Sequence, residues 1–212
     1  MALPVPKPPR FPKAPSAEGP AKDHSLAQVL SHRQALLEGE VKAIAELARA
    51  GPNGERDRLL LLTLFYSARR ISELLVLTPS RMRPPDLLTL MREKASKQLP
   101  PDITVSVPVW LWVQLKEYIR LERIKPDARV FPISRVRAWQ IIKSLGKATG
   151  RPELHCHLFR HSRALDVARK TGQHAVVQGL LGHSSPQTTE IYFKYITEDQ
   201  VSDVVRGLGE KE

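Results

Sequence analysis

The sequence predicts a mainly α-helical domain carrying one small antiparallel β-hairpin or sheet, an α+β fold. Three observations predict it. Apolar residues recur at helical spacing from about residue 35 to 208. The period switches to two only once, around residues 87–107. Hydrophobic residues make up 42% of the 212, enough for a genuine core.

Each element has its own signal. Residues 1–25 hold seven prolines (Pro4, Pro6, Pro8, Pro9, Pro12, Pro15, Pro20) among Lys7, Arg10, Lys13 and Lys22. Proline fixes φ and lacks the amide proton, so this stretch reads as an extended, flexible basic arm. It is either a solvated tail or a non-specific phosphate contact. Residues 26–208 read as one domain with no internal repeat. Leu37, Val41, Ile44, Ala45 and Ala48 predict a helix over 34–50 that stops at Gly51-Pro52. Arg56–Phe65 is so densely apolar that it must be buried on most sides, and Ile71, Leu74 and Leu75 continue helically to Pro79. Leu87–Met91, and Ile103, Val105 and Val107 in alternation with Thr104 and Ser106, form a hairpin over 86–108 whose tip bears Lys94 and Lys97. Further helices are expected over 109–123 (Val109, Leu111, Val113, Leu115, Ile119) and 135–149 (Val136, Trp139, Ile142, Leu145). Residues 157–208 are helical in pieces.

Composition narrows the function. Lys and Arg number 33 against 22 Asp and Glu, a net charge of +11, and the pI is near 10. That balance favours a polyanion, nucleic acid before anionic membrane. No apolar run approaches the ~18 residues of a membrane span. A single cysteine precludes an internal disulfide framework and suits a reducing compartment. A soluble, basic, intracellular protein is expected.

Three segments could carry chemistry. His155-Cys156-His157-Leu158-Phe159-Arg160-His161 gathers possible metal ligands, but only His157 and His161 share a helix face, and a structural zinc site would need about two more. An arginine between them suits an anion instead. His157 and Arg160, at i and i+3 by a helix N-terminus, make a phosphate-oxygen site. Downstream, Gly182 reads as a helix C-cap after Leu180-Leu181, followed at once by His183. Ser185-Pro186 then opens a short helix bearing Tyr192, which could equally be an amphipathic packing residue with a surface hydroxyl. Upstream, Arg70 and Glu73 stand at i, i+3, as an ordinary helical ion pair would.

Taken together, these segments resemble the tyrosine recombinases, the phage integrase family, over roughly residues 36–200. Arg70-Ile71-Ser72-Glu73-Leu74 is similar to the family's first box, His157-Leu158-Phe159-Arg160-His161 to its His-x-x-Arg box, and Leu181-Gly182-His183 followed by Tyr192 to its last histidine and nucleophile. The resemblance implies a site-specific DNA recombinase that needs neither metal nor ATP nor another cofactor. Arg70 and Arg160 would clamp the phosphate, with His157 and His183 adding hydrogen bonds and aiding proton transfer. Tyr192 would form a 3′-phosphotyrosyl bond, and a hairpin lysine would protonate the departing 5′ oxygen. Lys94 fits that lysine better than Lys97, which takes a supporting role with Glu73. Tyr195, Tyr66 and Tyr118 compete as nucleophile, but only Tyr192 has the expected offset from Gly182-His183.

The resemblance also implies double-stranded DNA as partner, a homotetramer on DNA, and a possible accessory protein. Too few residues precede the boxes for the N-terminal helical domain many members have, so a catalytic-domain-only member is expected. Thr197–Gln200 with Val201, Val204, Val205 and Leu208 would make a C-terminal helix over 198–208, docked on its own domain or on a neighbouring subunit. A type IB topoisomerase-like enzyme and a non-catalytic DNA-binding regulator are the alternative readings.

Overall fold

The computed structural model describes residues 35–92, 100–182, 187, 189–194 and 196. The Pro-rich arm, the hairpin tip with Lys94 and Lys97, His183, Tyr195 and the C-terminal segment from 197 lie outside the described residues. Helix α1 (Glu38–Arg49) lies along α2 (Gly54–Ser67), the central helix. The short α3 (Ile71–Leu74) and a single 3-10 turn (Pro79–Arg81) lead into strands β1 (Met82–Arg83), β2 (Leu87–Met91) and β3 (Asp102–Ser106). Helices α4 (Val109–Leu121), α5 (Arg135–Ala148), α6 (Cys156–Thr171) and α7 (His174–Leu181) follow, and residues 189–194 are again helical.

Helix α2 is buried on nearly every side, as its density of leucines requires. Leu59, Leu60, Leu61, Leu64 and Phe65 are wholly inaccessible. Its buried hydroxyls satisfy themselves on the preceding turn, Thr63 donating to the Leu59 carbonyl at 2.7 Å and Ser67 to Thr63 at 2.6 Å. Its first residue must be glycine, because a Cβ at Gly54 would stand 1.9 Å from the Arg49 carbonyl oxygen.

The expected hairpin is the larger part of a three-stranded antiparallel sheet in the order β1-β2-β3. Leu87 pairs with Ser106 and Met91 with Asp102, turning Leu88, Leu90 and Val105 inward. The two-residue β1 pairs with β2 and is too short to leave a periodic signal.

Three expectations are corrected. Helix α2 does not run on towards Pro79: Ala68 takes a left-handed conformation (φ 50°) and the chain restarts as the four-residue α3. On α4, Val109 and Val113 face outward while Leu111, Leu115, Tyr118 and Ile119 are buried. On α5, Val136 and Trp139 are exposed, and Ala138 joins Ile142 and Leu145 inside. Residues at i, i+3, i+6 and i+9 drift round a helix of about 3.6 residues per turn until first and last lie on opposite sides. The true inward sets step by four and then three.

Two apolar clusters result. The larger joins α1, α2, the sheet, α4, α5 and the start of α6. The smaller comprises Ala68, Ala164, Leu165, Ala168, Val177, Leu181 and Tyr192, and the candidate chemistry lies beside it.

Candidate active site

The kink after α2 makes the first part of the site. With Ala68 left-handed, Arg69 and Arg70 stand between two helices rather than on one. Glu73, 2% exposed, orients Arg70 twice: Oε2 accepts the Arg70 backbone N–H at 3.1 Å and Oε1 accepts from Nη1 at 3.3 Å. The Arg70 side chain is 37% exposed, so a buried carboxylate holds a guanidinium that still reaches solvent.

Helix α6 supplies the second part. His157 lies at the surface in its first turn, whereas Arg160 turns inward and is 3% exposed. Arg160 Nη1 donates to the Ala68 carbonyl at 2.6 Å and Nη2 to the Leu181 carbonyl at 2.9 Å, tying the α2–α3 kink to the end of α7. His157 and His161 stack loosely one turn apart, with ring centroids 6.3 Å apart. Among the described residues, no group of three or more His, Cys, Asp or Glu is arranged to hold a metal ion.

Tyr192 is the third part, and its hydroxyl is not at the surface. The residue is 1% exposed, within the smaller cluster, and its hydroxyl meets His161 Nδ1 at 2.7 Å. In the tautomer that leaves Nδ1 without a proton, the phenol donates. Burial pushes the Tyr192 phenol up to about 12, against the pull of the Arg160 charge. Arg160 is itself drawn down to about 10, by burial first and then by Arg70. Each group thus feels the others through a poorly screened interior.

The structure brings Arg70, Glu73, Arg160 and Tyr192 together, with His157 one turn from His161. Lys94, Lys97 and His183 lie outside the described residues, next in sequence beyond Arg92 and Gly182. The competing tyrosines are differently placed. Tyr66 donates to Glu38 Oε1 at 2.8 Å, and burial followed by that carboxylate raises its pKa. Tyr118 is raised mainly by burial.

Sequence reasoning did not assign His161 to the site. It lay in view at i+4 from His157, but which histidine reaches the phenol depends on how residues 189–194 cross α6. Arg69 was missed too, since an arginine beside Arg70 gives no sign of being 1% exposed. The fold brings together two guanidiniums, an imidazole and a buried phenol.

Residues 34–198 match the Phage integrase family. The chain is 36% identical over 194 residues to the tyrosine recombinase XerC of Xanthomonas axonopodis pv. citri (strain 306), covering 86% of this chain and 56% of that protein. It superposes on the catalytic domain of bacteriophage HP1 integrase with a TM-score of 0.52 at 25% identity, over 76% of this chain and 87% of that one. On XerH recombinase in a post-cleavage complex with palindromic difH substrate the TM-score is 0.68 at 18% identity, over 84% of this chain and 53% of that one, a likeness of fold. The chain belongs to the phage integrase family of tyrosine recombinases. It spans little more than half the length of the Xanthomonas relative.

Proposed function

We propose that this chain is a site-specific DNA recombinase that cuts and rejoins strands through a 3′-phosphotyrosyl bond on Tyr192. The observation that carries the reading is the convergence of Arg70, Arg160, His161 and Tyr192, from three separate parts of the chain, on one locus. Double-stranded DNA is the substrate. The net charge of +11 supports this, as does the fold shared with XerH, a site-specific recombinase seen bound to its difH substrate.

A phosphodiester repels nucleophiles and gains charge in its pentavalent transition state. Fixed donors that need not reorganise stabilise that charge most effectively. Arg70 and Arg160 are such donors, one oriented by Glu73 and the other by two carbonyls. In cleavage, Tyr192 Oη forms a bond to phosphorus and the P–O5′ bond breaks. The phenol proton passes to His161 Nδ1, and Lys94 protonates the leaving 5′ oxygen. His157 and His183 donate hydrogen bonds to the phosphate, with Lys97 in support. Rejoining reverses these steps with a 5′-hydroxyl of another strand, and the phosphotyrosyl bond conserves the energy of the one broken.

Exchange between two duplexes requires four active sites, so the working form is a tetramer on DNA. The stripe Val201, Val204, Val205 and Leu208 supplies a contact between subunits, and deletion of residues 197–212 abolishes assembly on DNA if it does. The catalytic reading is tested with a pool of nicked duplexes in which cleavage traps the protein covalently. Tyr192→Phe forms no adduct and Tyr195→Phe still does, while Arg160→Ala lowers the rate by about 10²–10³. Adduct retained by Tyr192→Phe and lost by Tyr195→Phe overturns the assignment.

A further inference from the structure

The last carbonyls of α7 raise an accounting question, because a helix leaves its final C=O groups without partners inside the helix. Gly182 answers part of it. In its left-handed conformation (φ 63°), its N–H reaches the carbonyls of Gln178 at 2.8 Å and Gly179 at 3.1 Å. The carbonyls of Leu180 and Leu181 remain, together with that of the cap residue Gly182, and each accepts from a different arginine. Arg69 Nη2 donates to Leu180, Arg160 Nη2 to Leu181 at 2.9 Å, and Arg92 Nη1 to Gly182 at 3.2 Å.

These arginines come from the kink after α2, from α6, and from the end of β2 where the chain enters the hairpin tip. Cations suit the negative end of a helix, and one would suffice for that. Three, on three elements, fix the end in position and direction. A Cβ on Gly182 would stand 3.0 Å from Arg69 Nη1, 3.1 Å from Arg92 Nη1 and 2.7 Å from Ile103 Cδ1. Arg69 is 1% exposed, and Arg92 Nε is buried with no hydrogen-bond acceptor, so neither side chain is placed there for solvation. Burying a guanidinium costs free energy that a surface ion pair would avoid, and the return here is a fixed backbone.

We propose that Arg69 and Arg92 are positioning residues which, with Arg160, hold the carbonyls of Leu180, Leu181 and Gly182 and thereby fix the direction in which the chain leaves α7 towards His183. Arg92 also joins the end of α7 to the stem of the hairpin. The proposal rests on the strand-cleavage reading only for its consequence in catalysis.

The test uses the full chain labelled with 15N-histidine, in which seven rings are observable and His183 is assigned by its loss in His183→Gln. In Arg92→Ala and Arg69→Leu the His183 ring resonances shift. His155 stays unchanged, and Arg92→Lys restores part of the parent behaviour. In the same chains, adduct formation on the nicked duplex pool at saturating DNA slows by up to about 100-fold, with half-saturation unchanged. Should Arg69→Leu fail to fold, Arg92→Ala decides alone. Unchanged His183 resonances in folded Arg92→Ala, or adduct formation at the parent rate, overturn the proposal. A parent chain that forms no adduct removes the strand-cleavage reading, and the ring resonances still decide whether the arginines hold the turn.

Discussion

Tyr192 carries a phenol that is both buried and hydrogen-bonded, and this has a consequence for stability. An unfolded tyrosine ionises near pH 10, at about 10.0 in model compounds, whereas Tyr192 in the fold is pushed up to about 12 by burial. Below about pH 10 the phenol is neutral in both states and contributes no pH dependence. Between about 10 and 12 the unfolded chain sheds the proton and the folded chain keeps it, so stability falls as pH rises. Urea melts should therefore show that Tyr192→Phe loses less stability over that window than the parent, Tyr66 contributing equally to both. Identical losses would mean that the phenol is not held neutral. At this scale the sequence was legible for Arg70, Glu73, Arg160 and Tyr192, because their spacing resembles a known family. His161 and Arg69 were not, since a contact across 31 residues, as between His161 and Tyr192, leaves no periodicity to read.

The elements explain why short motifs can place side chains accurately. At the first box, α2 ends in a left-handed residue, which frees Arg69 and Arg70 from the helix. At the last box, Gly182 closes α7 between Ile103, Arg69 and Arg92. Gly182→Ala adds strain at positive φ and forces those neighbours apart. It should cost at least about 1–3 kcal/mol in a urea melt, and an unchanged midpoint would contradict the packing described. Strands β2 and β3 were readable because alternation is a two-residue signal that needs one buried face. The expected faces of α4 and α5 differ from the true ones because Val109, Val113, Val136 and Trp139 are apolar yet exposed, and steps of two on α4 or three on α5 do not hold one side of a helix. The break at Ala68 was invisible, because alanine is the strongest helix former.

The whole molecule brings together parts that no single element contains: a phenol held by α6, guanidiniums from the kink and from α6, and a net charge of +11. Each phosphate neutralised releases counterions, giving a slope of log K against log salt of about −0.9 per contact. Binding to nicked duplex should therefore weaken steeply between low and moderate salt, as a fluorescence titration would show. Tight binding with a shallow slope would contradict a mainly electrostatic grip. The most direct measurement is to trap the protein on the nicked duplex pool, digest with trypsin and find the peptide that bears the nucleotide. Cleavage after Lys170 and Lys194 puts Tyr192 in the peptide over 171–194 and Tyr195 in the next. If Tyr192 is the nucleophile, the phosphotyrosyl mass falls on 171–194, at that residue. The same mass on the following peptide, or no covalent product from a chain that binds the duplex, would contradict it.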